Sequence, residues 1–316
     1  MRILIAENKD FSKKALQILE SIEGVEIISK NLDKKALKKY TKDIDVIWIR
    51  LKNYIDKDIL ENTKIKYIVT ATTGLNCIDL QYAKKKRIKV LSLKGEEKFL
   101  QSVRATPEFT ITCMLALLRN IKDASNDVDD YRWDRDHFKG NEIYGKTVGI
   151  IGYGRVGRIV ARYLKCFGAN ILVCEKKEKR MPKYIKKVTL EEIFKKSDIV
   201  TLHVNYEEGN RNMINKKLFN LIEKPIYFIN TARGELVNEQ DLIQAIKENK
   251  VTKATVDVLN HEARNEIRNN KLLKFAIDSN RVLITPHLGG CTKESMEKTE
   301  VFMANKLKKE LVKKYG

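Results

Sequence analysis

The chain has 316 residues, 43% of them hydrophobic and 33% charged, which is enough apolar material for a large core and suits two domains better than one. Its 62 lysines and arginines outnumber 42 aspartates and glutamates for a net charge of +20, yet they fall in short scattered groups (84–87, 176–177, 186–187, 308–309) without a basic arm; this reads as solvated surface and argues against a specific nucleic-acid partner. The longest apolar stretch, 111–118, is far too short for a bilayer, and five cysteines without a CxxC pair suit a reducing compartment, so a cytoplasmic protein without membrane partner or metal site is expected.

Residues 2–6, within MRILIAEN, predict a strand, 11–20 a helix, and 25–28, 46–49, 67–70 and 90–92 further short strands separated by lysine-rich helical segments. That alternation predicts a parallel sheet covered by helices. The segment SVRATPEFTITCMLALLRN, from Ser102, predicts a long apolar helix with Thr106 as cap, Pro107 in its first turn and Glu108 behind. A polar stretch with Tyr131, Trp133 and Phe138 follows up to Gly145, its aromatics serving either helix packing or a subunit contact.

The stretch TVGIIGYGRVG, residues 147–157, is a strand that breaks on Gly152, Gly154 and Gly157 and continues as a helix with Val156, Ile159, Val160, Tyr163, Leu164 and Phe167 on one face. A second strand, 171–174, ends on Glu175, about twenty residues beyond the glycines, where a dinucleotide fold needs a carboxylate for the ribose hydroxyls. In that context GxGxxG predicts a pyrophosphate site: the glycines let the backbone come close, and the N–H groups at the helix start, including those of Arg155 and Val156, meet the charge. Glu175 favours NAD, since a 2′-phosphate would meet a carboxylate; Lys176, Lys177, Lys179 and Arg180 soften that preference and leave NADP open.

Strands are predicted again at 198–204, 226–229, 254–258 and 282–285, with a helix at 242–248. Glu175, His203, Arg233, Asp257 and His287 lie at or just beyond the carboxyl ends of successive strands, where open α/β sheets place their ligands.

Three spaced motifs, INTARGELVNEQDL from Ile229, TVDVLNHE from Thr255 and TPHLGGCT from Thr285, resemble the signatures of the D-isomer-specific 2-hydroxyacid dehydrogenases, and the likeness extends to TTGLNCID from Thr72 and to the helix containing Glu108. The resemblance implies an α/β protein of two doubly wound parallel-sheet domains: a Rossmann dinucleotide domain (residues 102–286) inserted into a smaller flavodoxin-like substrate domain (1–101 and 287–316), with the active site in the cleft. It also implies a homodimer joined through the dinucleotide domain, in the short form without the C-terminal regulatory domain of longer phosphoglycerate dehydrogenases. The cofactor site extends by resemblance to Thr231, Ala232, Asp257 and Gly289, and His203 is expected in a structural or cofactor-proximal role.

Hydride exchange with C2 of a hydroxy acid requires a carboxylate clamp, carbonyl polarisation and one proton relay. The Arg233 fork suits the first two tasks, with backbone N–H groups near Thr73 and Gly74 on the other side of the carboxylate. His287 is the expected acid and base, and Glu262 its orienting partner, expected to stabilise the imidazolium. Because Ala263 stands where relatives have proline, Glu266 remains a second candidate for that partner; glutamine replaces the acid in formate-oxidising relatives. The loop Asn205, Tyr206, Glu207 also departs from the usual Pro-Leu-Thr. The substrate is expected to be a small 2-hydroxy or 2-oxo acid, 3-phosphoglycerate or another acidic one among the candidates, with residues 50–54 and Leu75 guessed for its pocket. The alternatives are a relative using another donor such as phosphite, and an NAD-sensing scaffold like the family's co-repressors.

Overall fold

Runs of three to six mostly aliphatic residues, too short for ordinary helices, form the strands of two parallel sheets. A computed structural model describes residues 1–262 and 267–315, with side chains through residue 313. It divides into two units, Met1–Val103 with Cys291–Gly316, and Arg104–Gly290. The second unit thus interrupts the first along the chain, and His287 belongs to the second.

The first unit has strands β1 (Arg2–Ile5), β2 (Glu26–Ser29), β3 (Val46–Ile49), β4 (Tyr67–Thr70) and β5 (Lys89–Leu91). Their order is β2-β1-β3-β4-β5, all parallel, which is the flavodoxin-like arrangement. Every residue of β3 and β4 is buried, so the apolar runs without alternation reflect helices on both faces. The helix Lys13–Glu20 starts where the Ser12 side chain accepts the Ala15 N–H, and it packs on the helix Lys293–Tyr315 with Leu19, Met303 and Leu307 in a shared core.

The second unit has β6 (Thr147–Ile151), β7 (Asn170–Cys174), β8 (Ile185–Lys187), β9 (Ile199–Leu202), β10 (Ile226–Asn230), β11 (Val251–Val256) and β12 (Val282–Ile284). The order β12-β11-β10-β9-β6-β7-β8 is the dinucleotide-binding order extended by one parallel strand, with its switch point between β6 and β9. One core cluster gathers the helices Ala105–Leu118 and Arg155–Cys166 on the sheet, and another gathers Leu190–Lys196, Glu239–Lys247 and Lys271–Asp278. Leaving Ile, Val and Leu of β6 and β9 at 0–1% exposure contributes about 1.5–3 kcal/mol per side chain.

Thr106 is not the cap expected of the Ala105–Leu118 helix; Arg104 holds that position without a side-chain bond, and Thr106 lies inside the first turn. Proline is tolerated anywhere in a first turn, because the N–H it lacks has no intrahelical acceptor there, so Pro107 did not mark the start. Similarly β9 stops at Leu202, leaving His203 and Val204 beyond the strand end.

Candidate active site

At the switch point the chain leaves β6 through Gly152, whose φ of 96° and whose approach to His203 both exclude a side chain: a Cβ there would sit 2.6 Å from the His203 carbonyl oxygen. A Cβ on Gly157 would lie 2.1 Å from the Gly152 oxygen, so the helix Arg155–Cys166 starts hard against the turn. Gly154, its cap residue, faces open space and offers no capping side chain that would stand in the way of a ligand. Burial, with Arg104 close by, depresses the Arg155 guanidinium, so two cations stand near this helix start. The cradle fits a pyrophosphate.

Glu175 follows β7. Its Oε2 accepts from the Tyr153 N–H (2.9 Å) and from Lys179 Nζ (2.7 Å), and its Oε1 accepts from the Lys177 N–H (3.0 Å). Lys179 also donates to the Tyr153 carbonyl, bridging the two strand-end loops. Burial pulls the Glu175 carboxyl up, but these donors win and hold it below its usual value. His203 keeps some exposed area while its ring lies in dense packing, with Nε2 3.1 Å from Thr201 Oγ1; burial pushes its pKa down to about 3, so it is neutral at working pH. Thr231 turns inward, its hydroxyl 2.9 Å from that of Thr110, and the Ala232 N–H is taken by Asn230 Oδ1.

Asp257, 1% exposed, organises the loop that carries His287. Its Oδ1 accepts from Thr285 Oγ1 (2.6 Å) and the Leu288 N–H (2.7 Å), its Oδ2 from the Gly289 N–H (2.8 Å), and its carbonyl from the His287 N–H (2.9 Å). Three of the carboxylate's four acceptor positions are thus occupied by the 285–289 turn. Burial raises the Asp257 pKa against the pull of those donors. Held this way, His287 adopts φ 56°, a left-handed conformation that costs a non-glycine residue about 1 kcal/mol.

His287 Nδ1 meets Glu262 Oε1 at 2.5 Å, and both side chains keep about a fifth or less of their surface exposed. Glu262 Oε2 accepts the Leu259 N–H at 3.2 Å, anchoring the carboxylate in its own turn. With Nδ1 engaged, Nε2 is the ring atom left to exchange a proton. The Arg233 loop joins the same structure: Gly234 presses its Cα against the Leu259–Asn260 peptide, where a Cβ would lie 2.2 Å from the Leu259 carbonyl carbon. Arg233 Nη1 donates to the Ala232 carbonyl at 2.6 Å. Three loops distant in sequence, 230–234, 257–262 and 285–289, are thus knitted together in one unit. Glu266 lies outside the described residues.

Thr73 and Gly74 belong to the other unit, in a turn where Thr72 Oγ1 donates to the Gly74 carbonyl (2.8 Å) and sits 3.0 Å from Thr70 Oγ1. In that unit Arg50 is committed to structure: its Nη2 and Nε bind Glu300 and its Nη1 the Lys9 carbonyl. Missed from the sequence were Gly234 and Glu239 as packing and hydrogen-bonding partners of the Glu262 turn, although both sit inside the INTARGELVNEQDL motif.

A glycine cradle at a Rossmann switch point, beside a histidine–carboxylate pair and an arginine loop, defines a nicotinamide-dependent oxidoreductase. Residues 111–289 match the family described as D-isomer specific 2-hydroxyacid dehydrogenase, NAD binding domain. The chain is 32% identical to a hydroxypyruvate reductase of Thermotoga maritima over 98% of its own length and 99% of that protein's. It is 33% identical to a D-3-phosphoglycerate dehydrogenase of Methanocaldococcus jannaschii, spanning 57% of that longer protein. Among solved structures it resembles the apo D-lactate dehydrogenase of Escherichia coli, with 26% identity, a TM-score of 0.82 and coverage of 99% and 97% of the two chains. The chain belongs to the D-isomer-specific 2-hydroxyacid dehydrogenases, and it is an NAD-dependent oxidoreductase of that class. Among the described residues no helix is long and apolar enough to cross a membrane.

Proposed function

We propose that the protein interconverts a short, polar D-2-hydroxy acid and its 2-oxo acid, with the three-carbon glycerate/hydroxypyruvate pair or its 3-phosphorylated form as substrate. The observation that carries the reading is the contact of His287 Nδ1 with Glu262, which leaves Nε2 as the proton-exchanging atom. In the oxidising direction Nε2 takes the hydroxyl proton, and in reduction it returns that proton to the carbonyl oxygen. Glu262 holds the ring's tautomer and faces the positive charge while the proton resides on the ring. Arg233 pairs with the substrate carboxylate and reaches toward the C2 oxygen, and the backbone N–H groups of Thr73 and Gly74 take the carboxylate's other side. When bound, a nicotinamide dinucleotide would supply the acceptor or donor for the hydride exchanged at C2. Gly152, Gly154, Arg155, Val156, Gly157 and Glu175, with His203, Thr231, Ala232, Asp257 and Gly289, would hold the dinucleotide.

The three-carbon choice is supported by the two relatives named for hydroxypyruvate and 3-phosphoglycerate, both three-carbon acids oxygenated at C3. The net charge of +20 favours encounter with an anionic acid. The test is NADH and NADPH oxidation across glyoxylate, pyruvate, hydroxypyruvate, phosphohydroxypyruvate and 2-oxoglutarate. The highest kcat/KM is expected with hydroxypyruvate or its phosphate; a preference for pyruvate or branched acids refutes the substrate assignment, and tight NADH binding without turnover refutes the enzyme mechanism.

A homodimer is proposed through the second unit, where Ile121, Val128, Tyr131, Trp133 and Tyr144 expose large apolar area, Tyr131 and Trp133 at 99% and 86%. Light scattering should give twice the chain mass, and Trp133→Asp should shift it toward monomer. We infer a cytoplasmic location, in keeping with the thiols of Cys113, Cys166, Cys174 and Cys291.

A further inference from the structure

Glu262 reaches His287 from a turn that begins at Leu259, and a short helical turn, Ile267–Asn269, leads to Asn270. At both flanks of that segment a donor points at the same carboxylate. Glu239 Oε1 accepts the Asn260 N–H at 2.9 Å, and Glu239 Oε2 accepts from Asn270 Nδ2 at 2.7 Å.

We propose that Glu239 is a positioning residue that seats the Glu262 turn against the His287 loop, an inference that rests on the reading of Glu262 and His287 as the proton relay. Asn260 stands two residues before Glu262; its N–H is held by Glu239 Oε1, and Gly234 packs so closely on the Leu259–Asn260 peptide that a Cβ there would not fit. Asn270 caps the helix Lys271–Asp278, its Oδ1 accepting the Leu273 N–H, so the same carboxylate ties the turn to a regular element downstream. Glu239 is itself fixed: it opens the helix Glu239–Lys247, whose Asn238 cap accepts from Gln240 and Asp241. An acid is needed because both of its partners donate. Glutamine would turn an N–H₂ toward one of them, and Asn270 cannot flip to accept without giving up its helix cap. Burial raises the Glu239 pKa, with Glu235 adding to it, while Asn260, Asn270 and His261 oppose the shift. A half-buried acid holding both flanks beside the Glu262 turn fits placement of the turn.

The test uses the purified full-length protein and a 2-oxo acid it reduces. Glu239→Gln should lower kcat about tenfold through displacement of Glu262, with the NADH Kd from fluorescence titration and the substrate KM within about twofold of the parent. In a Glu262→Gln background the same change should leave kcat unchanged, because the carboxylate it positions is gone; a generally structural role would stay additive. Adding Asn270→Asp to Glu239→Gln should restore most of kcat, since the reversed donor and acceptor pair while aspartate still caps the helix. Should Glu239→Gln fail to fold, Asn270→Ser, which keeps a capping oxygen and removes the amide donor, should lower kcat about threefold. A parental kcat in Glu239→Gln beside an impaired Glu262→Gln overturns the role of Glu239 and leaves the relay standing. A parental kcat in Glu262→Gln overturns the relay and this inference with it. An equal loss from Glu239→Gln in both backgrounds also overturns it.

Discussion

Replacing Gly234 by alanine would put a Cβ atom 2.2 Å from the Leu259 carbonyl carbon, 2.4 Å from the Asn260 nitrogen and 2.5 Å from the Leu259 oxygen. All three are backbone atoms with no rotamer to yield, and non-bonded carbons settle near 3.5–4.0 Å, so the Leu259–Asn260 peptide must retreat by about 1 Å or more. That peptide stands just before Glu262: its own N–H, from Asn260, goes to Glu239, and the N–H of Leu259 at its start goes to Glu262 Oε2, so its retreat carries the carboxylate away from His287 Nδ1. A displacement of this size at a relay costs about a hundredfold in kcat, and overpacking takes about 1–3 kcal/mol from stability. Steady-state kinetics, NADH titration and thermal unfolding separate the effects: kcat should fall much further than NADH affinity, because the glycine cradle of residues 152–157 lies on another loop even though Thr231, Ala232 and Asp257 lie on the disturbed ones. Parental kcat together with parental Tm would refute the reasoning, since the peptide would then have been free to move without consequence.

His287→Ala should abolish turnover while NADH binding persists; a kcat within about threefold of the parent would remove His287 from the proton relay. Lys179→Ala strips the cation from Glu175 Oε2 and should weaken NADPH binding several-fold more than NADH binding, measured as paired dissociation constants; equal changes would show that Lys179 does not temper the carboxylate. His203, with its folded pKa near 3 against about 6.5 unfolded, stays neutral in the native state while the unfolded chain takes up a proton. Its contribution is therefore present above about pH 6.5 and lost as pH falls toward 3, and His203→Gln should flatten the acid side of the stability profile seen in denaturant titrations. An unchanged slope in that variant would mean that the ring is solvated.

The central strands were legible because they are runs of apolar residues buried on both faces: β3 and β4 match the predicted residues 46–49 and 67–70. β8 was not predicted, since two of its three residues are exposed lysines at a sheet edge, where burial writes no pattern. The helix Lys271–Asp278 was also passed over, its asparagine cap following a lysine- and asparagine-rich connection that reads as loop. The glycine motif was legible in its context, because strand, turn and helix are neighbours along the chain.

Arg233, Glu262 and His287 were singled out by motif, each at or near a strand end, and strand ends follow from local periodicity and turn residues alone. The sequence by itself determined which elements form and which polar residues stand at their ends, because those depend on hydrogen bonds and side-chain spacing within about ten residues. Only the tertiary structure decided that Glu262, not merely some acid of its loop, reaches Nδ1 of His287, that Asp257 spends three acceptor positions on the 285–289 turn, and that Gly234 and Glu239 grip the peptide before Glu262. Such contacts join loops that the parallel sheet brings to one edge from segments about 25 to 55 residues apart, and that distance is set by the path of the chain through the crossover helices rather than by any local pattern.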